Sequence, residues 1–336
     1  MGFVKKRNIL KPLNLFYEEP NPDRWFKYDH YPRKIIRRII RGKQRPGGVM
    51  MVALNLMKGI DKIGVAYRLN NYNYIKKHPK EIACIIGKPH LLFDRVWANP
   101  IILGAGVYSH PIDCPDLFEK YPNVKRFLVP GEWMRQMCEP YYGDKVLVWP
   151  TGIDTEEWQP LPGVKEFNFL IYDKIRWEHE KYKQELLDPI IQTLNKHNVS
   201  HQYIKYGQYS HSEIKDKLSR SKAVIFLCEH ETQGLAYQQI LATNTPILAW
   251  DRGGYWQDPA YYPERVKYGP VSSVPYWDER CGIKFINAAD FKEKLTAFLN
   301  SINKFEPREY IMENLTLEIC TKKYLQIYRQ VEMEIK

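Results

Sequence analysis

One stretch limits what this chain can fold into more than any other. Residues 223–254 read AVIFLCEHETQGLAYQQILATNTPILAWDRGG. Residues 223–227 form a short, continuous apolar run of the kind required by a parallel strand covered on both faces. A polar loop follows over 229–234, then a helical stretch at 235–242. Pro246 and the apolar run 247–250 begin a second strand, and 251–254 form a loop at its end. Such a strand–loop–helix–strand unit places both loops at the carboxyl ends of strands, where open α/β sheets bind ligands. Gly234 lets the backbone pass close to a ligand. The helix after it directs free N–H groups and a positive dipole end at the loop, which suits a phosphate.

The chain's 336 residues are enough for two domains of ordinary size, and its 44% hydrophobic content supplies two cores. Residues 1–32 read as an irregular extension over the first domain. Residues 49–54 read as a buried strand, and the loop 55–64, with Gly59 and Gly64, leads to a helix over 65–77. The runs 82–86, 101–103, 125–129 and 146–149 alternate with helical or loop stretches, a Rossmann-like order. The segment 130–136 reads as a strand end passing into a helix. A second unit repeats the pattern, with strands at 167–172 and 201–206 and helices at 182–197, 210–219 and 288–301. Helical spacing of apolar residues then runs over 309–334.

A net charge of +11 points to an anionic partner. It is densest in residues 33–41, where Arg33, Arg37, Arg38 and Arg41 interleave with isoleucines. On a helix this is a basic amphipathic segment, which either lies on a membrane surface or packs its isoleucines on a core. No run approaches the ~18 apolar residues of a membrane span, and the amino-terminal residues have no apolar signal region. The six cysteines are scattered without a C-x-x-C pair, so they read as reduced thiols in a cytoplasmic protein with no structural zinc. No nucleic-acid-binding module accompanies the charge, so no specific nucleic acid is expected.

The segment 223–254 resembles the donor-sugar motif of GT-B glycosyltransferases, especially the retaining family 4 group. There the pattern is roughly E-x-F-G-L-x-x-x-E-A-M-A-x-G-x-P-V, with a Gly-Gly loop after the next strand. Glu231, Gly234, Leu235, Ala242, Pro246, Gly253 and Gly254 match. The family's second Glu is replaced by Gln239, and a usual Gly by Asn244. The segment 150–160 resembles the stretch with which that family leaves its first domain, with Thr151 for an Asn and Trp158 for a Phe. The resemblance implies an α/β GT-B fold: two Rossmann-like domains with parallel sheets facing a central cleft and a C-terminal helix crossing back. It divides the chain into an acceptor domain over 1–155, a donor domain over 156–305 and a terminal helix over 306–336.

The resemblance also assigns roles. Glu231 contacts donor-sugar hydroxyls, and the donor-binding set comprises Glu231, Thr232, Gln233, Gly234, Leu235, Gln239, Gly253 and Gly254; Gly59 joins it from the first loop, where a glycine lets backbone amides face the cleft. Position 239 meets the ribose. An amide there offers one acceptor where a carboxylate offers two, a loss on the order of 1 kcal/mol and a several-fold weakening. Lys174 and Arg176, at the end of the second domain's first strand, resemble the family's basic pair. Such cations stabilise a departing nucleoside diphosphate without a metal. No D-x-D is present for a metal-dependent mechanism, and neither metal nor cofactor is expected. His110, in a glycine-containing loop, is the candidate for the family's His near the donor sugar. Tyr255 and Trp256 either stack on a base or sugar or simply pack.

The function implied is transfer of a sugar, with retention, from a UDP- or GDP-sugar to a glycan or lipid-linked acceptor. Peripheral membrane contact would come through residues 33–41. Two alternatives remain open: a nucleotide-sugar-binding module without turnover, and a GT-B-type sugar-nucleotide epimerase.

Overall fold

The computed structural model describes residues 11–20 and 47–336. The basic segment 33–41 and its expected amphipathic helix lie outside the described residues. The chain forms two compact units. The first holds the described residues up to Pro130, Cys138–Thr151 and Cys320–Lys336; the second holds Gly131–Met137 and Gly152–Ile319.

In the first unit, six parallel strands are ordered β2-β1-β3-β4-β5-β6. They are β1 (Leu13–Phe16), β2 (Tyr67–Leu69), β3 (Ala83–Ile85), β4 (Ile101–Gly104), β5 (Val124–Val129) and β6 (Val146–Val148). The expected irregular extension is corrected over Leu13–Phe16, a strand buried along its whole length and paired with both β2 and β3. The polar residue within it, Asn14, is satisfied: its side-chain amide donates to Glu81 Oε2 at 3.0 Å and to the Ile82 carbonyl at 3.3 Å.

The strand expected at 49–54 is instead the start of helix α1 (Gly48–Lys62), which buries Ala53, Leu56 and Ile60 at helical spacing. Gly59 therefore sits inside a helix and not in a ligand-facing loop, which corrects the placement behind its donor-binding assignment. Gly64, at φ +68°, follows the end of α1, and the expected helix over 65–77 is β2 followed by the short α2 (Tyr72–Lys77). Helix α3 (Glu132–Tyr142) follows β5.

The second unit carries five parallel strands in the order β11-β10-β9-β7-β8. These are β7 (Phe167–Asp173), β8 (His201–Lys205), β9 (Ser221–Leu227), β10 (Ile247–Trp250) and β11 (Gly282–Phe285). The central strands are apolar because helices cover both faces; Ala223, Ile225, Leu227 and Leu248 enter one core with residues of α4 (Asp188–Lys196) and α7 (Ala288–Ser301). A capping box of Ser210 and Glu213 starts α5 (His211–Arg220), and Gly234 caps α6 (Leu235–Ala242). Strand β8 lies on one side of β7 and β9 on the other, so the connections leaving β7 and β9 diverge. That is the topological switch point, where a doubly wound sheet leaves a crevice beyond its carboxyl ends.

The terminal helical stretch is two helices, α8 (Pro307–Asn314) and α9 (Leu317–Glu334). From Cys320 onward α9 belongs to the first unit, where Trp149 Nε1 donates to the Cys320 carbonyl at 3.0 Å and the rings of Trp149 and Tyr324 meet edge-on. Among the described residues no helix is long and apolar enough to cross a membrane.

Candidate active site

The loops leaving β7 and β9 bring Lys174, Arg176 and Glu231 together at the switch point of the second sheet. The Lys174 N–H donates to the Leu227 carbonyl at 2.8 Å, which carries strand pairing one residue past β7. Its ammonium, buried and 4.6 Å above the Tyr206 ring, pairs with the Glu231 carboxylate. Burial alone would lower the Lys174 pKa; the adjacent carboxylate outweighs that and raises it above the ordinary lysine value. The Glu231 backbone is pinned on both sides. Its N–H donates to the Ser272 carbonyl at 2.9 Å, and its carbonyl accepts from Trp133 Nε1 at 2.9 Å.

Arg176 is held differently. The buried Glu229 carboxylate accepts the N–H groups of Arg176 and Trp177, both at 2.8 Å, tying the β7 loop to the β9 loop. The guanidinium lies 4.4 Å over the Trp177 ring, and its Nη2 donates to the His230 carbonyl at 3.0 Å. The group itself faces outward, with its side chain 33% exposed. Arg252, on the loop after β10, donates to Tyr182 Oη at 2.6 Å and to Gln257.

Between these cations lies His230, 2% exposed, with Trp133, Trp177 and Trp256 ring centroids at 5.9, 5.0 and 6.4 Å. Burial, then Arg176, Arg252 and Lys174, push its pKa down to about 2, so the imidazole is neutral at working pH. Sequence reasoning passed over Glu229, His230, Trp133 and Arg252. The only available signal was their closeness in sequence to features already singled out: Glu231, Gly253-Gly254 and the strand-to-helix segment 130–136.

Of the remaining donor-loop residues, Thr232 is exposed and Gln233 is buried. Gln233 Nε2 donates to Gln238 Oε1 at 3.1 Å, and Gln238 Nε2 returns a bond to the Gln233 carbonyl at 2.9 Å. Gly234 is held at φ +87°, and a Cβ there would lie 2.0 Å from the Tyr237 ring. Helix α6 starts with no side-chain cap and no acidic residue in its first turn, so its leading N–H groups face the loop uncompensated. Leu235 and Gln239 are half-buried on that helix. Gly253 and Gly254, at φ +65° and +82°, have open space where side chains would be. Tyr255 is 51% exposed and stacked with Tyr262, whereas Trp256 is buried against Tyr261 and His230. Trp256 packs and Tyr255 stays available.

His110 belongs to the first unit. It is buried, its Nδ1 accepts the Ile112 N–H at 3.0 Å, and its ring meets Tyr141 edge-on. Among the described residues no cluster of His, Cys, Asp or Glu is arranged to hold a metal ion.

No protein-family model matches this sequence, and no curated protein does. Solved structures do. A sucrose-phosphate synthase from Thermosynechococcus elongatus is similar at a TM-score of 0.54 and 11% identity, covering 96% of this chain and 99% of its own. TarM is similar at 0.53 and 14% identity, covering 82% of this chain and 58% of its own. A crystal structure of accessory secretory protein 1, 2 and 3 in Streptococcus pneumoniae gives 0.51 and 14%, covering 79% and 56%. This chain thus spans little more than half of the latter two. The fold, two units each built on a parallel sheet, is that of GT-B glycosyltransferases.

Proposed function

We propose that this protein is a glycosyltransferase that takes a sugar from a nucleotide-sugar donor bound at the carboxyl edge of its second sheet. The observation that carries this reading is the Lys174–Glu231 ion pair at the switch point, with Glu231 beside Gly234, where α6 begins without a side-chain cap. A nucleotide sugar presents a diphosphate and a ring of hydroxyls. The exposed Arg176 guanidinium, the Lys174 ammonium and the α6 N–H groups match the first; the Glu231 carboxylate matches the second.

In this reading Arg176 and Lys174 stabilise the negative charge that develops on the leaving diphosphate, while Glu231 accepts from a donor hydroxyl and orients the sugar. Retention, transfer without a metal, a UDP- or GDP-sugar donor, and a glycan or lipid-linked acceptor belong to the same proposal. His110 is retained as a catalytic candidate, as the family resemblance implies.

A thermal-shift screen against UDP, GDP, ADP, CMP and dTDP with their common sugars tests binding, and product analysis with and without acceptors tests chemistry. A shift for one nucleotide family, lost in Glu231→Ala, together with acceptor-dependent product, supports transfer. Gln239 and the mutual neutralisation of Lys174 and Glu231 favour one competing reading, a module that binds but does not turn over. Binding without transfer or donor hydrolysis would select it, and product without acceptor would select an epimerase.

A further inference from the structure

From the geometry around Arg176 we infer that His230 is a positioning residue: it aims the Arg176 guanidinium at the donor's diphosphate and is itself never a proton carrier. The inference rests on the donor site proposed above. Arg176 is the one cation of the Lys174–Arg176 pair that faces outward, and a long side chain in that position has many rotamers to lose on binding. Three contacts already restrict it: the Trp177 ring beneath it, the His230 carbonyl at 3.0 Å, and His230 Nδ1, 3.4 Å from the same Nη2. An Arg fork held in place beforehand binds an anion with less entropy lost.

For Nδ1 to accept from a guanidinium, the imidazole must be neutral and carry its proton on Nε2. The surroundings enforce both conditions. Burial and the neighbouring cations keep the ring uncharged, and the Arg176 guanidinium, which can only donate, makes Nδ1 the acceptor and leaves the proton on Nε2. The ring is also immobilised. Trp133, Trp177 and Trp256 surround it, and Glu229 fixes the backbone of the loop that Arg176 leaves from. A protonated His230 would instead repel Arg176, so the low pKa is part of how the guanidinium is held.

Two variants separate aiming from packing. His230→Phe keeps the ring volume and removes the acceptor; His230→Asn keeps an acceptor at the Nδ1 position and loses volume. We expect His230→Phe to bind the nucleoside diphosphate preferred in the screen roughly three- to tenfold more weakly, the size of one ordinary hydrogen bond lost. The corresponding nucleoside should bind unchanged, and His230→Asn should bind the diphosphate near wild-type strength. Placed on Arg176→Ala, His230→Phe should cost nothing further. The reverse pattern, Phe harmless and Asn harmful, overturns the inference and leaves a packing role.

If wild type binds no nucleotide, the donor reading fails. The positioning claim is then read from phenylglyoxal labelling of Arg176 followed by peptide mapping. His230→Phe should label several-fold faster than wild type, and an equal rate overturns the claim.

Discussion

The ammonium of Lys174 and the carboxylate of Glu231 form an ion pair in which each side chain is only 9% exposed, joining the ends of β7 and β9. Two charges so far from water hold each other in place, and either alone would be left uncompensated. Loss of one partner of a buried pair costs about 3–5 kcal/mol, whereas replacing both with apolar groups of similar size is often near neutral. Lys174→Met or Glu231→Gln alone should therefore lower the urea midpoint sharply, and the double variant Lys174→Met/Glu231→Leu should recover most of it. Donor binding should be absent from all three. Single variants as stable as wild type would mean the pair is solvated in solution.

His230 makes stability depend on pH. Its folded pKa is about 2, against an unfolded value near 6.5. The unfolded chain takes up a proton below pH 6.5 that the folded chain refuses, so this contribution is fully present above 6.5 and is lost as pH falls toward 2. Between pH 7 and 5 the loss is on the order of 2 kcal/mol. Urea titrations at the two pH values should show that difference in wild type and a smaller one in His230→Phe. Equal differences would place the titration elsewhere.

Gly234→Ala tests the start of α6. At φ +87°, with Tyr237 ring carbon only 2.0 Å from an added Cβ, the change imposes both a strained backbone and a steric shift. A loss of roughly 1–3 kcal/mol is expected, together with weakened donor binding. A fully stable, fully binding variant would show that the loop tolerates another conformation.

Much of the second sheet was legible because its strands are short apolar runs bounded by Pro, Gly and polar loops; residues 235–242 and 247–250 fall where the expected helix and strand lie. The amino-terminal part was not. Strand β1 spans four residues between Pro12 and Glu18 and contains Asn14, and only pairing with β2 and β3 makes it a strand. The run GVMMVALNL shows no distinguishing period at its start, and a buried strand and a buried helix look alike there. At the site, Glu231, Lys174 and Arg176 were found through motif and strand-end position. The Trp133–Glu231 bond joins residues 98 apart in sequence, and no local pattern foretells it.

Gln239 is half-buried on α6, about one and a half turns beyond Gly234. If position 239 meets the ribose, Gln239→Glu restores a second acceptor. Affinity for the preferred nucleotide should then rise several-fold, about 1 kcal/mol by isothermal titration. Unchanged affinity would remove this residue from the donor site.

Direct titration of purified wild type and Glu231→Ala with UDP-, GDP- and ADP-sugars, both proteins first shown to be folded by circular dichroism, reaches the donor site most directly. Saturable binding of one nucleotide family to wild type, weakened at least tenfold in Glu231→Ala, is the expected result. Equal binding by the two proteins, or none by folded wild type, would contradict a donor site at the carboxyl edge of the second sheet.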